Sequence, residues 1–180
     1  KKDTAKSGKM DGRKCPNLLL LIKCCEVKKI NPKISKKFSV LDYLKLFKNQ
    51  KKNISYITFD IDYFKKINDN YGHDFGDEVL RKIAKIILTN IKKDDIFCRI
   101  GGEEFVLITD SLATKDDLVK FSNKLRTSVE DFDFDLGYKV TISVGATFFK
   151  ENDTKDTIFK RVDDLMYISK KNGKNKISVE

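Results

Sequence analysis

Ile96-Phe97-Cys98-Arg99-Ile100-Gly101-Gly102-Glu103-Glu104-Phe105-Val106-Leu107-Ile108-Thr109 decides the fold. Two apolar runs, 96–100 and 105–108, flank a glycine pair that lets the backbone turn tightly and come close to a ligand. The pattern predicts a β-hairpin whose tip carries two carboxylates, Glu103 and Glu104, where the chain re-enters its second strand. Cys98, inside the first run, is expected to pack as a small buried hydrophobe.

Working outward toward the N-terminus, 54–61 reads as a β-rich run ending in acid. It leads directly into Phe59-Asp60-Ile61-Asp62-Tyr63-Phe64-Lys65-Lys66-Ile67-Asn68-Asp69-Asn70-Tyr71-Gly72-His73-Asp74-Phe75-Gly76-Asp77. Val79, Leu80, Ile83, Ile86, Ile87 and Ile91 then fall on one side of a helix of about four turns, so this helix is expected to lie on a sheet. Downstream, Thr114 with Asp117 three residues on opens an amphipathic helix over 114–129. The segment 140–149 alternates as a strand, and 158–170 closes with a helix. Apolar spacings between 18 and 47 predict one or two helices leading into the core. The order helix, strand, helix, hairpin, helix, strand, helix predicts an α+β fold, a largely antiparallel sheet covered by helices.

The chain has 180 residues, of which 40% are hydrophobic, enough for one domain with its own core. Residues 1–24 read as an extension or linker, and 25–180 as the domain. The formal net charge of +10 comes almost wholly from lysines spread along the chain. That keeps the surface solvated and supplies a field that would draw in nucleotides or nucleic acid. It forms no basic stripe with an aromatic platform, so no nucleic-acid partner is expected. Four cysteines without a C-x-x-C pair, and a single histidine, make no zinc site. No apolar run approaches the roughly 20 residues that span a bilayer, so a cytoplasmic location with no membrane segment is expected.

Asp60 ends the first strand and Glu103 sits at the hairpin tip. Where the two strands are neighbours, both carboxylates and the Ile61 carbonyl converge on a hard cation such as Mg²⁺. Lys65 and Lys66 fall in the first turn of the next helix, where amide donors already favour anions. Asp62 is expected to point to the opposite face of the strand and to serve structure.

Taken together, the Gly101-Gly102-Glu103-Glu104-Phe105 tip, the strand ending in Asp60, the 68–77 stretch, Thr141-Ile142-Ser143-Val144-Gly145 and Lys170-Lys171-Asn172-Gly173-Lys174-Asn175 resemble the GGDEF family of diguanylate cyclases, in a G-G-E-E-F variant. The best-matching core is 54–180. The resemblance implies a palm-like, ferredoxin-like sheet and condensation of two GTP into cyclic di-GMP and two pyrophosphates, a bacterial second-messenger reaction. It implies two Mg²⁺ or Mn²⁺ ions per active site, held by Asp60, Ile61, Glu103 and Glu104, with Glu103 and Lys65 as the catalytic pair. Asn68 and Asp77, with His73 between them, take the guanine-reading positions, since a carboxylate accepts from both donors of guanine and adenine has no such pair. Phe64, Lys66, Gly101, Gly102, Lys170 and Lys174 complete the substrate contacts. Lys174 stands where the family has arginine, keeping a point charge without the bidentate fork.

The reaction implies a homodimer, at least transiently, and an upstream sensory or response-regulator domain outside this chain as a possible partner. Lys92 and Asp95 are the remnant of the family's R-x-x-D product-inhibition site. Lysine at 92 lacks arginine's planar contact to guanine, so weak or absent feedback is expected. The family's N-terminal signature falls on 25–33, where only Val27, Ile30 and Lys33 match. The alternative function is a catalytically silent member that binds GTP or cyclic di-GMP, or serves as an interaction surface.

Overall fold

Every residue of Ser55–Ile61 is buried on both of its faces, which requires β1, formed by this run, to lie inside a sheet covered on both sides. A computed structural model describes residues 53–180. The helices expected between 18 and 47, the 25–33 signature and Cys15, Cys24 and Cys25 lie outside the described residues. After β1 come α1 (Phe64–Tyr71), α2 (His73–Asn90), β2 (Ile96–Gly101), β3 (Glu104–Thr109), α3 (Lys115–Glu130), β4 (Ile142–Phe148), α4 (Lys155–Lys171) and β5 (Ile177–Val179). The sheet order is β2-β3-β1-β4-β5, antiparallel throughout except for the β4–β5 pair.

Alternation along β1 divides the core in two. Ile57, Phe59 and Ile61 join residues of α1, α2 and α3 on one face. Tyr56 joins Cys98, Val106, Ile108 and the α4 residues Ile158 and Val162 on the other. Phe59, Phe97 and Phe105 stack at centroid separations of 5.2, 5.6 and 6.2 Å, one ring from each of three adjacent strands. Cys98 is buried as expected.

Both long C-terminal helices start on capping boxes, which satisfy amides that a helix start otherwise leaves open. Thr114 pairs with Asp117 at α3, and Thr154 with Thr157 at α4. The second begins three residues before Ile158, where apolar spacing first becomes visible. Helix α2 likewise begins six residues ahead of Val79, because its first turn is polar and carries no readable period. Strand β5 had no signal: three residues cannot establish an alternation. Among the described residues no helix is long and apolar enough to cross a membrane.

Helix α4 reaches its close seat on β4 at Gly145. A Cβ there would stand 2.4 Å from the Val162 carbonyl oxygen and 2.5 Å from the Met166 amide nitrogen, both backbone atoms that cannot step aside. Gly145→Ala is therefore expected to destabilise the fold by about 2 kcal/mol or more, through displacement of α4. Urea denaturation measures this, and an unchanged midpoint would contradict the packing.

Candidate active site

At the C-terminal end of β1, Asp60 stands in register with Glu104 on β3 and Ser143 on β4. The amide of Ile61 donates to the Glu103 carbonyl at 3.3 Å, which ties the hairpin tip to this strand end. Asp60, only 7% exposed, is paired with Lys170 at 2.9 Å, so a helix-borne ammonium sits against the strand-end carboxylate. Burial pushes Asp60 up from its ordinary 3.8 to about 6; repulsion from Glu103 and Glu104 adds to this, and the Lys170 hydrogen bond and charge offset part of it. Burial also raises Glu104, with repulsion from Asp163 and Glu103 opposing the attraction of Lys170.

Beside this acidic end lies a pocket of about 470 Å³, lined by Phe64, Lys65, Asn68, His73, Asp77, Gly102 and Glu103, with Asp69, Leu80 and Arg99. Glu103 joins the two parts, lining the pocket while its charge acts on Asp60. Asn68 supplies a buried side-chain oxygen with no hydrogen-bond partner. Such a group costs free energy unless a ligand donates to it.

The remaining expected residues fall outside the pocket lining. Lys66 and Lys174 place their ammoniums over the Tyr63 ring. Gly101 borders Glu104, and Lys170 holds Asp60. Lys92 and Asp95 close their own turn, the Asp95 carboxylate accepting the Lys92 amide at 2.7 Å. They stand a strand's length, roughly 20 Å, from the hairpin tip.

One expectation needs correction. Asp62 lies in the turn just past β1, and its hydrogen bonds put it on the same side of the sheet as Asp60. Ser143, the register partner of Asp60, donates to Asp62 at 2.6 Å, and Thr141 donates at 2.8 Å. The hairpin turn at Gly101 and Gly102 is made without left-handed backbone. What glycine provides at 102 is open space, with no heavy atom within 4 Å of where a Cβ would stand.

Two contributors carried no readable signal. Arg99 clamps the tip, its Nε donating to the Gly102 carbonyl at 2.7 Å across the bulge between Arg99 and Gly101. Gly76 makes room for Asn68: a Cβ there would fall 1.8 Å from Asn68 Oδ1.

Among the described residues no three carboxylate, imidazole or thiol groups form a ready metal cluster. The donors nevertheless fit magnesium, which typically takes one or two carboxylates and completes its shell with water and substrate phosphates. The Lys170 ammonium at Asp60 shows that this place calls for positive charge.

The site thus joins an acidic strand end to an adjoining pocket on an α+β sheet, and comparison with known proteins gives the family this architecture belongs to. The family model described as diguanylate cyclase, GGDEF domain, matches residues 39–176. The chain is 40% identical over 130 residues to the response regulator PleD of Caulobacter vibrioides, covering 69% of this chain and 28% of PleD. It is 36% identical over 137 residues to the probable diguanylate cyclase DgcT of Escherichia coli, covering 72% and 30%. The active GGEEF domain of a diguanylate cyclase from Vibrio cholerae superposes with a TM-score of 0.69 at 28% identity, covering 76% of this chain and 88% of that one. The GGDEF domain of DgcB from Caulobacter crescentus, in complex with c-di-GMP, gives 0.69 at 26% identity, covering 76% and 82%. The chain belongs to the GGDEF diguanylate cyclase family. Its matched part spans less than a third of the length of those two curated relatives.

Two substitutions test the geometry. Gly76→Ala is expected to push the Asn68 amide out of place and weaken guanine-nucleotide binding about tenfold. The helix itself gains from alanine, so thermal stability should hardly fall; unchanged affinity in calorimetry would contradict this. For Asp60, a carboxyl raised in the folded state contributes stability that is lost as pH rises from about 4 through about 6. Asp60→Asn is therefore expected to stabilise the metal-free protein at neutral pH by roughly 1–3 kcal/mol in urea denaturation. A loss of stability would show that the carboxylate is held favourably.

Proposed function

We propose that this chain is a diguanylate cyclase that condenses two GTP molecules into cyclic di-GMP with release of two pyrophosphates. The observation that carries the reading is the junction of two features at one strand end: carboxylates that demand a cation, and a pocket offering a buried, unpartnered amide oxygen. A nucleotide satisfies both, its base entering the pocket and its phosphates meeting the acidic end through metal.

In this reading the guanine edge donates to Asn68 and Asp77, with His73 at the pocket rim and Phe64 and Leu80 as apolar wall. An adenine leaves the Asn68 oxygen unpaired, which disfavours ATP by roughly 1–3 kcal/mol. Asp60, the Ile61 carbonyl, Glu103 and Glu104 would hold two divalent ions, Mg²⁺ or Mn²⁺. Bound there, such ions supply neutralisation of phosphate charge and polarisation of the attacking hydroxyl. Lys65 lies at the start of α1, where it meets charge that develops on the phosphates in the transition state. Lys170, paired with Asp60 here, turns to the phosphates when nucleotide enters.

The 3′-hydroxyl oxygen of one GTP attacks the α-phosphorus of the other, the bond to pyrophosphate breaks, and Glu103 takes the hydroxyl proton. A second, equivalent displacement closes the ring. Each copy holds one nucleotide, so both bonds form only where two copies face each other as a homodimer. The catalytic unit would run over 25–180 with 1–24 as an extension. An upstream sensory or receiver domain, such as a response regulator carries, would set how often two copies meet. Loss of arginine at 92 would leave the product with little hold on the inhibitory turn.

Incubation of the purified chain with GTP and Mg²⁺ at several protein concentrations, with cyclic di-GMP read by mass spectrometry, tests the proposal. Product whose rate per chain rises with concentration, and a fall of at least a hundredfold in Glu103→Ala, about 2.7 kcal/mol, is expected. GTP binding without product at any concentration would favour the silent nucleotide receptor.

A further inference from the structure

Tyr63 caps the start of α1 in left-handed backbone, φ 58°, a conformation that bulky side chains rarely adopt. As the cap, its carbonyl accepts the amides of Lys66 at 2.8 Å and Ile67 at 3.4 Å. The residue is 56% exposed, and its ring carries two cations: the ammoniums of Lys66 and Lys174 each stand 4.8 Å from its centroid. Strain retained on an exposed aromatic residue calls for an explanation other than packing.

Lys174 arrives at the ring from the far end of the chain. Gly173, Lys174 and Asn175 have φ of 106°, 63° and 48°, three left-handed residues in succession. This loop is pinned from both sides. The buried Asp62 carboxylate accepts the Asn175 amide at 2.9 Å, and the Asn175 side chain joins Arg126 at 2.7 Å and Glu130 at 2.7 Å on α3. The backbone under Lys174 is thus fixed to the end of β1, one residue from Tyr63. The side chain above it is a flexible four-carbon stem that needs a second hold.

We propose that Tyr63 is a positioning residue: its ring seats the Lys174 ammonium at the triphosphate end of the site, giving the lysine some of the fixed direction that a planar guanidinium has by itself. The idea rests on the nucleotide reading above and adds a residue to it. Ring and backbone divide the work. Asp62 places the loop, and the Tyr63 face places the charge. An exposed cation–π contact of this kind is modest, so its loss changes affinity about two- to fivefold.

The test is calorimetric binding of a non-hydrolysable GTP analogue with magnesium, and separately of guanosine, to the parent chain, Tyr63→Phe, Tyr63→Ala, Lys174→Ala and the double alanine variant. Thermal melting confirms folding. Phenylalanine should keep parental affinity for the analogue, because the ring face remains. Each alanine should weaken it about two- to fivefold; in a Lys66→Ala background, which removes the other cation on the ring, the double variant should be no weaker than Lys174→Ala, and guanosine binding should stay constant throughout. Full affinity in Tyr63→Ala, additive losses, or an equal loss for guanosine would overturn the seat. A neutral Lys174→Ala in a parent that binds the analogue would overturn it while leaving the nucleotide reading intact. A parent that binds neither probe would remove both.

Discussion

The register of β1 between β3 and β4 is the constraint on which the site depends. A slip of one residue would turn Asp60 into the aromatic core and Phe59 toward Lys170. The stack of Phe59, Phe97 and Phe105 opposes that slip, because each ring comes from a different strand and all three meet on one face. Buried apolar packing on one side of the sheet thereby fixes where the carboxylates stand on the other. The same register sets Asp60 opposite Glu104 and brings Glu103 to the pocket edge.

That placement gathers negative charge in a partly desolvated corner, and the raised Asp60 and Glu104 carboxyls record the cost. Lys170 is the fold's own remedy, a cation delivered from the last turn of α4. Helix α4 reaches that position because Gly145 lets it lie close on β4. In the proposed reaction stability and function pull in opposite directions here: a neutral strand end would fold more comfortably, and the charged one suits a metal and a polyphosphate. The left-handed residues at Tyr63, Lys174 and Asn175 belong to the same economy of strain, held by Asp62 and by contacts to α3.

Much of this was legible in the chain itself. The hairpin, β1, and the amphipathic faces of α2 and α3 follow from apolar spacing, and Thr114 with Asp117 announced a capping box that is present. The motif residues Asn68, His73, Asp77 and Glu103 do line one pocket. What stayed hidden depends on contacts between distant segments. Gly76 reads as a weak helix residue until Asn68 is seen against it, and Arg99 reads as a surface charge until its bond to Gly102 is formed. Asp62 lies past the last residue of β1, so alternation does not reach it, and only its bonds to Thr141, Ser143 and Asn175 show which side it takes. Strand β5 is too short to carry a pattern, and Tyr63 matters only because residue 174 returns to it.

A crystal structure of this chain with a non-hydrolysable GTP analogue and magnesium tests the central claim most directly. The expected result is a cation on the Asp60 carboxylate, the guanine edge against Asn68 and Asp77, and the Lys170 ammonium moved from Asp60 to a phosphate. A nucleotide bound elsewhere, with Lys170 still paired to Asp60 and no ion between the carboxylates, would contradict it.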